Sequence, residues 1–392
     1  MALFIKGGKL FDPVEGVCKD NPGIYTAGKD IVSIGGEEPS EDLQVIDASD
    51  GYVMPGLINA HVHLVWDASA DPDVPIAGKS DCYVTYVACK EAQKHLALGI
   101  TTVRDTASIG DTVLSLRDAI KNDLVVGPNI VSSGQPIAMT GGHINRMALV
   151  ADSPDAVRAM TRRNLHHKVD LIKLMATGGV YTEGEEPGSP QLTIEEMKVA
   201  VEEAHKRGKK VTVHAEGLEG IKNSLIAGTD GVEHFNYGDD EAIQMMVDRG
   251  VYLCPTIICF VRMTGQAAVD AGVPDWAIKK AEQVVEAQNI SFPKAVKAGV
   301  KIITGTDAGA PLNTPEDYFV ELQLMKDFGM GILDLLRSAT CLAAEAIDLP
   351  TVGIIKEGNM ADILILDADP TQSLENLRKV RHIIKGGKIV NL

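Results

Sequence analysis

Eight apolar, strand-like runs alternate with helical stretches through the middle of the chain, and this alternation limits the possible folds more than any other feature. The helical stretches, such as TIEEMKVAVEEAHKRG, repeat apolar residues every three to four positions and end near glycine. The strand-like runs are GLINAHVHL, ITTVRDT, NIVSSGQ, VDLIKLMA, KKVTVHAEG, TDGVEHFNYG, GVYLCPTI and GVKIITGTDAG. Eight such units over roughly 290 residues predict an α/β fold, the parallel (β/α)8 TIM barrel, which usually takes about 250 residues. A doubly wound open sheet is the alternative, but no GxGxxG opens a helix after the first strand.

Both ends of the chain consist of short strand-like segments separated by Gly and Asp. Residues 1–55 and 351–392 share this punctuation, and residues 1–55 have no helical period. We expect the two ends to pair into one small β-sandwich domain that brings the termini together. The barrel domain is expected to occupy residues 56–350.

Composition narrows the setting of this fold. The 392 residues are 45% hydrophobic and 23% charged, which is ordinary for a globular protein. The net charge of −17 attracts neither nucleic acid nor an anionic membrane. The six cysteines include no CxxC pair, the N-terminus has no signal-peptide pattern, and no apolar run reaches the ~18 residues of a membrane span. The sequence therefore predicts a cytoplasmic protein with reduced thiols and no nucleic-acid or membrane partner.

Metal-binding residue types recur at the predicted carboxyl ends of the barrel strands, where function sits in this fold. His61 and His63 share one face of the first strand, and His214, His234 and Asp307 end later strands. Each alone could be ordinary: a satisfied polar face, a half-buried histidine, or, for Asp307, a helix N-cap. Four imidazoles and a carboxylate at one end of a barrel together predict a site for zinc or a similar divalent ion.

Other polar residues receive plainer interpretations. We expect Arg104 and Asp105, at the end of the second strand, to form a structural ion pair within the barrel. Five more histidines lie in helical or terminal stretches among charges and are expected to be solvated: His95, His166, His167, His205 and His382.

Lys173 stands in an apolar strand, VDLIKLMA, where an unpaired ammonium is expensive to bury. Strand alternation puts it on one face with Leu171 and Met175. Near metal cations the buried amine would be driven to its neutral form, which can add carbon dioxide. The resulting carbamate has two oxygens and could bridge two metal ions about 3.5–4 Å apart. The alternative is an unmodified lysine that snorkels or pairs with a barrel carboxylate.

At these residues the sequence resembles the amidohydrolase superfamily, in particular its branch of imidazolonepropionase-related and prolidase-like metallo-dipeptidases. The resemblance covers nearly the whole chain and rests on PGLINAHVHL, TTVRDT, IKLMATGG, VTVHAEG, GVEHFNYG, TGTDAG and GIIKEGNMADILILDADP. It implies two metal ions with six ligands: His61, His63 and Asp307 for the more buried ion, His214 and His234 for the more exposed one, and carboxylated Lys173 bridging both together with a hydroxide.

The expected mechanism follows from the charge of such a centre. Two divalent ions, for which Zn2+ is the simplest choice, make hydroxide available at neutral pH, and the exposed ion polarises the scissile carbonyl. Asp307 would accept the proton of the hydroxide and pass it to the leaving amine. The predicted activity is hydrolysis of the amide bond of a dipeptide or an N-acyl amino acid, with Xaa-Pro and Xaa-Arg/Lys as candidates.

Three other interpretations of the same residues stay open. The same site could hydrolyse a cyclic amide, a carbamate or a lactone. Lys173 could be unmodified, in a mononuclear hydrolase. The barrel could also bind metal without catalysis, although a scaffold has no need for Asp307 beside an activated water. The resemblance further implies that the chain assembles as a homo-oligomer.

Two residues are expected to face the substrate. His143 lies in the loop MTGGHINR, and the resemblance implies that a histidine there binds or polarises the substrate carbonyl. Tyr237, in EHFNYG, resembles a tyrosine that contacts the α-carboxylate of the substrate in that branch. The alternatives are a loop-organising hydrogen bond for His143 and packing under the rim for Tyr237.

The loop after the fourth strand, GGVYTEGEEPGSPQLT, is long and acidic. Its carboxylates, Glu183, Glu185 and Glu186, are either a solvated run of charge or a selector for an Arg or Lys side chain of the substrate. The second interpretation would argue against a simple Xaa-Pro preference.

Overall fold

The computed structural model describes residues 2–36 and 43–391. The strands among them are β1 (Ala2–Lys6), β2 (Lys9–Asp12), β3 (Val17–Asp20), β4 (Gly23–Ala27), β5 (Asp30–Ile34), β6 (Gln44–Asp47), β7 (Tyr52–Pro55), β8 (Leu57–Val62), β9 (Ile100–Asp105), β10 (Asn129–Ser132), β11 (Ile137–Ala138), β12 (Leu149–Val150), β13 (Ile172–Met175), β14 (Val211–Ala215), β15 (Gly231–His234), β16 (Tyr252–Cys254), β17 (Lys301–Ile302), β18 (Ile363–Leu366), β19 (Val380–Lys385) and β20 (Lys388–Ile389).

The α-helices of the same residues are α1 (Asp81–Ala97), α2 (Thr112–Lys121), α3 (Pro154–His166), α4 (Ile194–His205), α5 (Leu218–Ala227), α6 (Asp240–Arg249), α7 (Ile257–Arg262), α8 (Gly265–Ala271), α9 (Asp275–Ala298), α10 (Tyr318–Asp327), α11 (Ile332–Ser338) and α12 (Cys341–Ala346). Short 3-10 helices occur at Val74–Ile76, Pro315–Asp317 and Leu374–Arg378.

Eight parallel strands form the barrel that the alternation predicts, namely β8, β9, β10, β13, β14, β15, β16 and β17. They pair in two arcs, β8 to β10 and β13 to β17. Backbone hydrogen bonds join the arcs at both seams: the N–H of Asp170 donates to the carbonyl of Ser132 at 2.8 Å, and the N–H of Ala60 donates to that of Thr304 at 2.9 Å. Because all these strands run parallel, their carboxyl ends share one rim.

The helices cover the barrel with their apolar faces, and α4 shows how the sequence specifies them. Its N-cap, Thr193, accepts a hydrogen bond from the N–H of Glu196, whose side chain returns the contact in a capping box. Met197, Ala200 and Ala204 then recur on the buried side. Within the described residues no helix is both long enough and apolar enough to cross a membrane.

His95 departs from the expectation that it is solvated. It lies on the buried face of α1, four residues beyond Glu91, and only 1% of its surface is exposed. Its Nδ1 lies 2.9 Å from the backbone carbonyl of Glu91, and burial lowers its pKa to about 4. The neighbouring charges in the sequence predict a solvent-exposed position, but the helical period puts His95 against the core.

Strands from both ends of the chain form the small β domain. A six-stranded sheet has the order β20-β19-β18-β7-β2-β3, so C-terminal strands pair with N-terminal ones. The register of β18 against β7 is antiparallel, with Ile363 opposite Pro55 and Leu366 opposite Tyr52. A four-stranded sheet, β5-β4-β1-β6, completes the domain. The predicted fold class, a barrel with a small β domain built from both termini, is confirmed.

Strand β18 is buried on both faces and joins the two hydrophobic cores. Ile363 and Ile365 belong to the core of the small β domain, whereas Leu364 and Leu366 belong to the core of the barrel. The alternation of a strand thus sends successive side chains into two different cores. The C-terminal segment therefore stabilises the barrel although it is remote from it in sequence.

Truncating Leu364 tests this coupling. Leu364→Ala removes a fully buried side chain from the barrel core and should lower the free energy of unfolding by about 2–5 kcal/mol. Val32→Ala, at a β5 position that is 47% exposed, should change it by less than about 0.5 kcal/mol. Thermal unfolding followed by circular dichroism would measure both. A separate early transition of the small domain, with the barrel transition unchanged, would contradict the coupling.

Candidate metal centre and active-site pocket

The carboxyl ends of the barrel strands bring the predicted metal-ligating histidines and Asp307 together. The ring of His61 lies 5.3 Å from the rings of both His63 and His234, and His214 lies 4.5 Å from His234. Asp307 Oδ1 lies 2.8 Å from His63 Nε2 and 3.2 Å from His61 Nε2. All five side chains are buried. Ligand atoms of His61, His234 and Asp307 lie within 4.8 Å of one another, which is close enough for one ion to contact all three.

Two residues of this group have backbone conformations that residues other than glycine rarely adopt. His234 has a φ of 77° and Asp307 a φ of 65°. Such a conformation costs of order 1–3 kcal/mol and persists where the surroundings fix it. The N–H of Asp307 donates to the carbonyl of His61 at 2.9 Å, which holds the end of the last strand against the first. The strain is therefore located where the chain turns from strands into the rim.

Each of the four histidines has one ring nitrogen near a hydrogen-bond partner in the protein. The partners are Glu233 Oε2 for Nδ1 of His61 (2.7 Å), the Ala107 carbonyl for Nδ1 of His63 (3.4 Å), Thr256 Oγ1 for Nδ1 of His234 (2.6 Å) and the Gly178 carbonyl for Nε2 of His214 (3.4 Å). A partner at one nitrogen fixes the orientation of the ring and leaves the other available to a metal. The free nitrogens are thus Nε2 in three cases and Nδ1 in His214.

Glu233 supports His61 and links it to Arg104. Its Oε1 accepts a hydrogen bond from Arg104 at 2.7 Å and another from the Thr212 hydroxyl, and its Oε2 meets His61. Burial alone would raise the pKa of Glu233, but the charges of Arg104, His61 and Lys173 hold it well below the ordinary value.

The expected Arg104–Asp105 ion pair is wrong. Arg104 points into the barrel and pairs with Glu233. Asp105, next along the strand, instead accepts hydrogen bonds from the N–H of Leu64 and the hydroxyl of Ser132. Burial raises the pKa of Asp105 to about 7. Successive residues of a strand face opposite sides, so the two side chains could not share one environment.

Among the described residues, Lys173 Nζ and Asp307 Oδ1 are buried beside the histidines without a hydrogen-bond partner. Lys173 is 1% exposed, and burial, assisted by Arg104 and opposed by Glu233, lowers its pKa to about 8. The contacts of Asp307 Oδ1 with the imidazoles are short but are not aligned as hydrogen bonds. Burial lowers the pKa of His214 and of His234, which favours the neutral, metal-ligating form. The chemistry of these residues fits a divalent metal centre.

His143 stacks on His214, with ring centroids 4.2 Å apart, and closes one side of the site. Its Nδ1 lies 3.1 Å from Thr182 Oγ1 and 3.7 Å from a carboxylate oxygen of Glu185. A Cβ on Gly179 would lie 2.3 Å from the ring, so glycine is required there to leave room for the imidazole. The structure thus brings His143 to the predicted metal site.

The candidate active-site pocket contains about 510 Å³ of empty space and opens to solvent. The four candidate histidine ligands, His143, Lys173, Asp307 and Glu216 supply its polar lining. Its walls are largely apolar and include Trp66, Val180, Phe260, Met263, Ala310 and Pro311. Such a combination of an apolar wall and a few convergent polar groups is typical of sites for small molecules.

Tyr237 and most of the acidic loop lie outside the lining of this pocket. Tyr237 is 36% exposed, and burial together with the charges of Glu216 and Glu186 raises its pKa. Glu183 and Glu186 are exposed. Glu185 turns inward, where it accepts hydrogen bonds from Gln191 Nε2 and from the backbone of the loop. The loop carboxylate nearest the site is therefore already satisfied.

Sequence reasoning missed two buried acids at the site, Glu233 and Glu216. Glu233 directly precedes His234 in GVEHF, and Glu216 follows His214 by two positions in VHAEG. An acid inside an otherwise apolar strand end was the available signal. Burial raises the pKa of Glu216 to about 8, partly opposed by a hydrogen bond from Asn236.

Comparison with known proteins agrees with this geometry. A solved Xaa-Pro dipeptidase with bound methionine in the active site has a TM-score of 0.91 and 31% identity, covering 100% of both chains. A prolidase complexed with N-methylphosphonate-L-proline has a TM-score of 0.91 and 26% identity, covering 100% of this chain and 99% of its own. Ochratoxinase of Aspergillus niger is 28% identical over an aligned length of 435 residues, and the alignment covers 97% of this chain and 85% of that protein. The sequence model of the Amidohydrolase family matches residues 52–390, which include every candidate ligand, and the chain therefore belongs to the amidohydrolase family.

Proposed function

We propose that this amidohydrolase uses two divalent metal ions to hydrolyse the amide bond of a dipeptide or an N-acyl amino acid. The observation that carries the proposal is the cluster of six buried side chains at the carboxyl ends of the strands, in which Lys173 Nζ and Asp307 Oδ1 have no hydrogen-bond partner among the described residues. Groups of this kind are expensive to bury unless something binds them.

The ligands divide between two positions. His61, His63 and Asp307 would hold the more buried ion, and His214 and His234 would hold the more exposed one. Lys173, as a carbamate, would supply oxygen donors to both. Zn2+ suits this set of imidazole and oxygen donors. When bound, the ions would lower the pKa of water and polarise the scissile carbonyl.

The side chains of the protein then have distinct tasks. Asp307 accepts the proton of the attacking water and delivers it to the nitrogen of the leaving amine. His143, stacked beside His214, donates to the substrate carbonyl. The apolar walls, among them Phe260 and Met263, exclude bulk water and so strengthen these polar interactions.

Similarity to the Xaa-Pro dipeptidase and the prolidase supports a substrate with an amino acid on the leaving side. We propose that Tyr237, at the rim, contacts the carboxylate of that amino acid. At 36% exposure the residue is accessible to an entering substrate.

Metal uptake tests the proposed centre. Protein stripped with a chelator and reloaded with Zn2+ and bicarbonate should bind about two equivalents, and without bicarbonate markedly fewer, because the carbamate bridge cannot form. Lys173→Gln should bind about one equivalent or fewer in both conditions, whereas Lys198→Gln, at an exposed helix position, should match the wild type. Metal would be measured by inductively coupled plasma mass spectrometry. Full uptake by the Lys173 variant would exclude its role as bridge.

A substrate panel tests the reaction. The zinc-loaded enzyme should release free amino acids from Xaa-Pro, Xaa-Arg/Lys or N-acyl amino acid substrates and leave cyclic amides intact, as followed by chromatography. Asp307→Asn should lower kcat by roughly 10²–10⁴, since it removes the proton carrier. Asp240→Asn, at an exposed side chain, is the matched control. Turnover restricted to cyclic amides would refute the proposed substrate class, and a loss below about threefold would refute the role of Asp307.

A further inference from the structure

Glu216 is a fully buried carboxylate in the wall of the active-site pocket, and the proposed mechanism does not use it. Its Oε2 accepts a hydrogen bond from Asn236 Nδ2 at 3.2 Å. Its Oε1 has no hydrogen-bond partner among the described residues. A buried carboxylate oxygen without a partner is destabilising, so this atom points to a group that the folded chain does not supply.

The main chain around Glu216 holds the carboxylate in place. The N–H of Glu216 donates to Thr177 Oγ1 at 3.1 Å. The next residue, Gly217, packs so closely on Gly188 that a Cβ would lie 2.0 Å from its carbonyl oxygen. The backbone that carries Glu216 is therefore held in place, and the hydrogen bond from Asn236 orients its side chain, as a recognition group requires.

Comparison with Glu233 shows what Glu216 lacks. Both glutamates are buried, and both stand beside a candidate histidine ligand. Glu233 has a dedicated cation, Arg104, at 2.7 Å. Glu216 has no Lys or Arg within ion-pair distance among the described residues, although the chain provides one for its counterpart.

His214 does not fill this role. Its Nε2 lies 3.4 Å from Glu216 Oε1, but the same nitrogen has the hydrogen-bonding geometry for the Gly178 carbonyl, also at 3.4 Å. One N–H cannot serve both acceptors well. Lys173, the pocket's remaining cationic side chain among the described residues, is assigned to the metal bridge.

We propose that Glu216 selects substrates that carry a positive charge: a substrate ammonium or guanidinium group donates a hydrogen bond to Oε1 and supplies the countercharge that keeps this buried carboxyl group ionised. This rests on the amide hydrolysis proposed above and narrows its substrate class. It also moves charge selection from the acidic loop to the pocket wall, because Glu183 and Glu186 are exposed and Glu185 is satisfied by Gln191.

The positive charge can come from two parts of a substrate. A dipeptide with a free N-terminus brings an α-ammonium, and an Arg or Lys residue brings a side-chain cation. Four substrates separate these sources: Met-Leu, N-acetyl-Met-Leu, N-acetyl-Met-Arg and N-acetyl-Arg-Leu. N-acetyl-Met-Leu is the member without any positive charge.

The zinc-loaded wild type should hydrolyse at least one cationic member with a kcat/KM roughly 10²-fold above that of N-acetyl-Met-Leu. Glu216→Gln should abolish this preference, mainly by raising KM for the cationic member, and should leave N-acetyl-Met-Leu within about threefold. Glu216→Asp, which keeps the carboxyl group, should retain part of the preference. Glu186→Gln, at the exposed loop carboxylate, should retain all of it.

An equal loss on all four substrates, or no preference in the wild type, would overturn the proposal, since a purely structural Glu216 predicts those results. Zinc content and thermal midpoint of each variant are measured beside the kinetics. A binding measurement by calorimetry keeps the two proposals distinguishable: the wild type should bind L-methionine or agmatine more tightly than N-acetyl-L-methionine. If charged ligands bind selectively while no substrate is hydrolysed, amide hydrolysis fails and the role of Glu216 stands. Wild type without charge selectivity in either assay refutes Glu216 even if a variant does not fold.

Discussion

The main physical constraint on this structure is the burial of ionisable side chains inside the barrel. Within the described part of the chain, Lys173 Nζ is buried in an apolar strand without a hydrogen-bond partner, and so is Oδ1 of Asp307 at the rim. Burying such atoms is unfavourable unless a bound group satisfies them. Bridging metal ions and a carbamate would convert the lysine from an unpaired cation into an anionic ligand. The amine, the carboxylate and the four imidazoles are then parts of one charge balance.

Residues inside the barrel also contribute to this charge balance. Glu233 contacts both Arg104 and His61, so its carboxylate couples the arginine to a candidate metal ligand. A hydrogen-bond partner at one ring nitrogen of each histidine determines which nitrogen is left to bind a metal. Left-handed backbone at His234 and Asp307 aims those side chains from the strand ends. Glu216 is different because no described Lys or Arg lies within ion-pair distance of it, and we therefore separate the groups that build the site from one that would bind the substrate.

The barrel and its candidate ligands could be predicted from the sequence because both depend on local pattern. Strand alternation and helical period define eight units, and parallel strands bring their carboxyl ends to one rim. Long-range pairing could not be predicted in the same way. Arg104 meets Glu233 across 129 residues, and only the closed barrel determines that contact. Likewise, the burial of His95 depends on which face of α1 meets the core, and the position of Tyr237 outside the pocket lining depends on the path of the rim loop. The loop sequence also does not show which of its carboxylates folds back onto Gln191, so the inward position of Glu185 could not be predicted.

Anomalous X-ray diffraction from crystals of protein reloaded with Zn2+ and bicarbonate tests the central claim most directly. The account predicts two zinc peaks about 3.5–4 Å apart, one beside His61, His63 and Asp307 and the other beside His214 and His234, with continuous density for a carboxylate group beyond Lys173 Nζ reaching both. A single zinc peak, or a Lys173 side chain that ends at an unmodified Nζ directed away from the metal, would contradict it.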